Sequence, residues 1–156
     1  MATMVGTQEE LTKFLIELGE LEYDAIEAYK AAIERLGDVE VRRQMSSFLS
    51  DHERHVVEID RLIRDFGATP PDSADIKQYL TKGKVMLGSL SGDRAILMAM
   101  KTNEDDTNTA YERAVARNDL PSHVRTVMAV NLSDERRHRE WIERRISSAE
   151  YASSSR

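Results

Sequence analysis

A chain of 156 residues is long enough for one domain with a buried core and too short to expect two. Hydrophobic residues at 40%, charged residues at 32%, and only 7 Gly and 3 Pro describe long amphipathic helices better than strands. The net charge of −6 argues against a general nucleic-acid surface, and with no Cys there are no disulfides, thiolate metal sites or cysteine nucleophiles. No run approaches the roughly 18 apolar residues of a membrane span. The opening MATMVGTQEE lacks a basic stretch followed by an apolar one, so a cytoplasmic protein without a signal peptide is expected.

The first predicted helix covers 8–36. Thr7 with Glu10 reads as a capping box, Leu11, Phe14, Leu15, Leu18, Ile26, Tyr29 and Ile33 recur at helical spacing, and Gly37 supplies a stop. The second covers 39–66, capped by Asp38, carrying Val41, Met45, Phe48, Val56, Ile59 and Ile63, and ended by Gly67 before Pro70-Pro71. A third over 93–117, with Asp93 as its expected cap, presents Ile96, Leu97, Met100 and Tyr111. After a short turn containing Pro121, a fourth over 122–148 carries Val124, Met128, Leu132, Ile142 and Ile146. Residues 149–156 read as a disordered tail. Short turns make antiparallel hairpins of helices one and two and of three and four. The connection between the hairpins is far longer and includes a moderately apolar piece over 76–90. It can run the length of a helix, which predicts an all-α four-helix bundle of two hairpins joined by a crossover; an up-down bundle with a decorated middle loop is the alternative.

The two halves of the chain repeat one another. Glu22 and Glu104 are separated by 82 residues, as are Tyr29 and Tyr111. Leu49-Ser50-Asp51-His52-Glu53-Arg54-His55 then matches Leu132-Ser133-Asp134-Glu135-Arg136-Arg137-His138 at an offset of 83. Duplicated hairpins imply a pseudo-two-fold axis with matched residues facing across it. Glu135 and His138, three residues apart, share a helical face. One Glu from each of two helices plus Glu-x-x-His from each of the other two is the pattern of a dimetal carboxylate site, and the chain follows it except at one position. Where the first half should read Glu-x-x-His it reads His52-x-x-His55, with Asp51 close enough along the helix to swing in and Glu53 facing away. Mixed carboxylate and imidazole donors suit iron, manganese or zinc, and the extra imidazole points toward a single ion, zinc or copper, or an altered redox pair.

On these residues the chain resembles the ferritin-like superfamily, which includes ferritins, bacterioferritins, rubrerythrins and small stand-alone bacterial four-helix families of unassigned function. The resemblance spans roughly 8–147. It implies Glu22, His55, Glu104, Glu135 and His138 as metal ligands, His52 at the departing ligand position, and Tyr29 and Tyr111 as hydrogen-bond partners behind them. It further implies iron as the leading cofactor with manganese or zinc as alternatives, oxygen or peroxide as partners, and assembly into homo-oligomers as one option.

Each signal has a plainer reading. Glu-x-x-His is common on solvated helices, but three of the four His fall at repeat positions, and only His123 stands apart as a surface residue. Glu22 and Glu104 lie on the apolar stripe, where an unpaired carboxylate is costly. The Met residues read as core filler. The Arg-rich stretch 135–140 reads as a solvated face with ion pairs, giving no nucleic-acid groove. Two function classes stay open: a metal-binding protein that oxidises Fe(II), and a non-enzymatic stress-related module whose centre is lost or remodelled for zinc or copper.

Overall fold

The computed structural model describes residues 2–71 and 87–154, with side chains described through 148. Four helices form the chain: α1 (Leu11–Arg35), α2 (Val39–Asp65), α3 (Asp93–Val115) and α4 (Ser122–Ser154). They pack as an all-α four-helix bundle in which α1 lies on α2 and α3, and α4 lies on α3 and, more loosely, on α2. The α4 backbone continues through Ser154, into the segment read as a tail.

Local chemistry sets the helix ends. Asp38 caps α2, accepting from the backbone N–H of Glu40 and Val41 at 2.8 and 3.1 Å. Gly67, at φ 78°, closes α2 in a left-handed turn, with its N–H donating to the Arg64 carbonyl and the Ala68 N–H to that of Ile63. The other two caps differ from expectation. No Thr7 capping box forms: α1 begins at Leu11, and the Thr7 hydroxyl donates to the Met4 carbonyl at 2.6 Å. The preceding segment is instead strapped to α3 and its end, Arg113 donating to the carbonyls of Thr3 and Val5 and Arg117 to that of Glu9. Asp93 does not cap its own helix either. Its carboxylate accepts from the N–H groups of Gly37 and Asp38, at 2.8 and 2.9 Å, and so pins the α1–α2 turn to the start of α3.

That contact settles the topology. The start of α3 lies beside the start of α2, whereas Leu62 and Ile63 near the end of α2 pack with Phe14, Leu120 and Val124 at the opposite end. Helices α2 and α3 therefore run parallel, and the connection between them starts at one end of the bundle and finishes at the other. This is the crossover arrangement, not the decorated up-down alternative. Most of the apolar piece 76–90 lies outside the described residues, but Leu87 is fully buried in the same apolar cluster as Tyr29, Met45, Phe48 and Met100.

Two apolar clusters form the core. One contains Phe14, Leu18, Ile59, Ala110, Tyr111 and Met128, and the other Ala28, Tyr29, Met45, Phe48, Met100 and Ile142. Burying a large apolar side chain stabilises the fold by about 1.5–3 kcal/mol, so these clusters carry most of the driving force. Between them Glu22, His52, His55, Glu104, Glu135 and His138 are all completely inaccessible to solvent. The core is thus interrupted at its middle by a band of ionisable groups.

Candidate metal centre

Each helix supplies part of the band. Glu22 comes from α1, His52 and His55 from α2, Glu104 from α3, and Glu135 and His138 from α4. Pairs three residues apart on α2 and α4 face inward together because that spacing nearly completes a turn. All six sequence-identified residues meet in two overlapping groups. Glu22, His52, His55 and Glu135 make one, and His52, Glu104, Glu135 and His138 the other; within each, one ligand atom per residue lies within 4.8 Å of the rest, a spacing that could hold a metal ion. His52 and Glu135, matched by the repeat, belong to both groups.

His52 sits between the two single carboxylates. Its Nδ1 donates to Glu22 Oε2 at 2.7 Å, and its Nε2 lies 3.3 Å from Glu104 Oε1. His55 Nδ1 donates to Glu22 Oε1 at 3.2 Å. His138 Nδ1 also points inward, but lies 3.6 Å from Glu104 and 3.8 Å from Glu135 and makes no hydrogen bond.

The tyrosines act crosswise. The Tyr111 hydroxyl donates to Glu22 Oε1 at 2.6 Å, and the Tyr29 hydroxyl makes a short hydrogen bond to Glu104 Oε1. A tyrosine seven residues past a glutamate on the same helix sits about 10 Å further along the axis, out of reach. The repeat brings its counterpart on the other hairpin within range, so the 82-residue offset marks the residues but not their partners.

The outward nitrogens follow the same exchange. His55 Nε2 lies 3.0 Å from Asp134 Oδ2 on α4, and His138 Nε2 lies 2.8 Å from Asp51 Oδ2 on α2. Both aspartates are partly solvent-exposed and engage arginines in turn: Arg54 with Asp134, and Arg137 with both. Asp51 therefore does not swing in as a ligand for its own half; it holds the imidazole of the other. A carboxylate on one ring nitrogen fixes the ring and leaves the other to face the centre. Glu53 is exposed, as expected, and His123 is an exposed residue stacked on Phe66.

Three further residues escaped the sequence reading. The Thr107 hydroxyl donates to Glu135 Oε2 at 2.8 Å. Asn108 donates from Nδ2 to the backbone carbonyls of Glu104 and Glu135, locking α3 to α4 beside the centre. Asn131 reaches the Tyr111 hydroxyl at 3.4 Å. Their only trace in the sequence is a polar residue on an apolar stripe, at positions where the repeat places Ala25, Ile26 and Phe48.

Electrostatics follow from this packing. Burial alone would raise Glu22 and Glu104, but the surrounding His55, His52 and His138 overcome it and hold both well below the usual carboxylate range. Glu135 goes the other way, pushed up by burial and by Glu104 and Glu22 despite His52. Burial would depress the imidazoles, yet the carboxylates around them raise His55 to about 11, His138 to about 9, and His52 well above its ordinary value. In the folded chain without metal, these protonated imidazoles balance the buried carboxylates.

No helix among the described residues is long and apolar enough to cross a membrane. No curated protein and no solved structure matches the chain. The sequence profile of a family described as a domain of unknown function, DUF2383, matches residues 10–117, which include Glu22, His52, His55 and Glu104. That match covers α1 through α3 and well over half of the sequence, and the chain belongs to the DUF2383 family.

Proposed function

We propose that the chain is a ferritin-like metal-binding protein whose bundle centre takes iron, or manganese in its place, through Glu22, Glu104, Glu135, His55, His138 and His52, and that it oxidises Fe(II) with oxygen or peroxide. The observation carrying this reading is the convergence of six fully buried ionisable side chains. Among them His138 Nδ1 makes no hydrogen bond, and Glu135 Oε1 has only ion-pair contacts, with His55 Nδ1 at 3.2 Å and His52 Nδ1 at 3.5 Å. Leaving a buried polar atom without a hydrogen bond costs about 1–3 kcal/mol, a cost that a bound ion would offset once His138 has shed its proton. Mixed nitrogen and oxygen donors converging on one point fit a transition-metal ion. A bound pair of such ions supplies one-electron redox chemistry and open coordination positions.

The chain's own residues do the rest. Asp51 and Asp134 hold the imidazoles with Nδ1 inward, Tyr29 and Tyr111 orient Glu104 and Glu22, and the two apolar clusters keep bulk water away. In the oxidation, two ferrous substrate ions lose one electron each, and peroxide with two protons takes both to become two waters. One observation favours a second reading. His52 gives the centre three imidazoles against three carboxylates, a donor set that also suits zinc or copper held without turnover.

The test is elemental analysis of protein purified after growth with each metal, beside a Glu104→Ala/His138→Ala variant. Iron or manganese lost in the variant supports the first reading, and ferrous oxidation is then assayed. Zinc or copper lost in the variant supports the second. Absence of any metal after anaerobic reconstitution with ferrous iron refutes both.

A further inference from the structure

The repeat makes the two ligand groups near-copies, so the places where they differ carry information. Both draw on His52 and Glu135; one adds Glu22 and His55, the other Glu104 and His138. Three differences all point the same way.

The first is in the hydrogen bonding of the matched imidazoles. His55 Nδ1 spends its N–H on Glu22 at 3.2 Å, while His138 Nδ1 has no partner. Glu22 takes that donor beside those of Tyr111 and His52, whereas Glu104 takes Tyr29, His52 and Thr107 and none from His138. The second lies behind the imidazoles. Phe48 packs on the His138 ring with centroids 4.3 Å apart, whereas the repeat places the amide of Asn131 at the matching position in the other half. The phenyl ring therefore gives His138 an apolar wall, where the matching position in the other half carries a polar amide.

The third is His52 itself. A carboxylate has lone pairs enough to bridge two ions, but a neutral imidazole offers one nitrogen lone pair and keeps a hydrogen on the other. The contact to Glu22 through Nδ1 is short, at 2.7 Å, and that to Glu104 through Nε2 is long, at 3.3 Å. Nε2 is therefore the more loosely held ring nitrogen, and it faces the Glu104 half. The substitution is also accommodated by its surroundings. Thr107, whose hydroxyl supports Glu135, has Ala25 as its counterpart, a side chain with no hydroxyl.

We propose that His52 makes the centre unequal, so that Glu104, Glu135, His138 and His52 Nε2 hold one ion first and tightly, while the Glu22–His55 half, closed by its own hydrogen bonds, takes a second only at excess metal. This rests on the metal-binding reading above and adds to it an order of filling and the residue that sets it. His52 acts as a divider where a glutamate would act as a bridge.

Anaerobic titration of the metal-free full chain with Co(II), followed by visible ligand-field absorption and by fluorescence of Trp141, tests the order. The wild type should show one tight equivalent and a second at least tenfold weaker. His138→Ala should lose the tight equivalent, His55→Ala should keep it, and His52→Glu should bring the two equivalents to similar affinity. If His138→Ala does not fold, wild type, His55→Ala and His52→Glu decide the matter between them. Two equal equivalents in the wild type, or loss of the tight one in His55→Ala, overturns the inequality while leaving metal binding in place. No Co(II) bound by the wild type overturns the inequality and the underlying metal-binding reading together.

Discussion

Changing Asp51 to Asn separates what the centre needs from what the surface merely shows. Asp51 Oδ2 sits 2.8 Å from the fully buried His138 Nε2 and 2.6 Å from Arg137, whose side chain is 51% exposed. The two contacts differ in worth. A hydrogen bond from a charged donor into a buried site contributes about 1.5–3 kcal/mol, whereas an exposed ion pair contributes about 0–1 kcal/mol. Asparagine keeps an oxygen acceptor and loses the charge, so the metal-free protein should lose about 2 kcal/mol, with most of it from His138. For a domain of this size that lowers Tm by about 4–8 °C. Metal affinity should fall about 10–100-fold, the usual effect of removing the carboxylate behind a ligating imidazole. Arg137→Ala, which removes only the exposed side, should shift both quantities far less. Calorimetry of metal-free protein and a chelator-competition titration measure the two effects. Equal losses in Asp51→Asn and Arg137→Ala, or no loss in either, would refute the idea that Asp51 acts through His138.

The pH response has a definite sign. His55 and His138 are raised from an ordinary 6.5 to about 11 and about 9, so their ion pairs stabilise the metal-free fold fully below about pH 6.5 and are lost as pH rises through 9 and then 11. Urea denaturation of metal-free protein should show stability falling between pH 7 and 9.5, while metal affinity rises over the same range because the ligands must shed protons; a flat stability profile contradicts this. Phe48→Ala opens a cavity against the His138 and Trp141 rings and should cost about 3–5 kcal/mol, read from equilibrium unfolding. Asp93→Ala removes both acceptors from the α1–α2 turn and should destabilise by about 1–3 kcal/mol. Its local signature is faster amide exchange at Gly37 and Asp38, and unchanged exchange there would show that the turn holds itself.

Much of this was legible from spacing. Helical periodicity placed all four helices, and the 82- and 83-residue offsets located the six central residues, because both patterns are properties of a single strand of sequence. What was hidden is what depends on which residues meet across the axis. Tyr29 shares its helix with Glu22, yet its hydroxyl joins Glu104 of the other hairpin. Asp51 looked like a spare ligand until α4 brought His138 to it. Asp93 matched a helix cap by its position, yet the turn it serves lies 55 residues earlier in the chain. Thr107, Asn108 and Asn131 were silent because one polar residue on an apolar stripe carries no partner's address.

The crosswise exchange of tyrosines and aspartates bears on synthesis. When the first hairpin has left the ribosome, Glu22, His52 and His55 are present, but Tyr111, Asp134 and Glu135, which orient and complete them, are not yet made. A nascent half-chain thus lacks the tyrosine hydroxyl that helps fix its carboxylate and the aspartate that fixes its His55 imidazole. On the metal-binding reading, capture would wait until the last helix arrives, and premature loading of an unfinished polypeptide would be discouraged by its own topology.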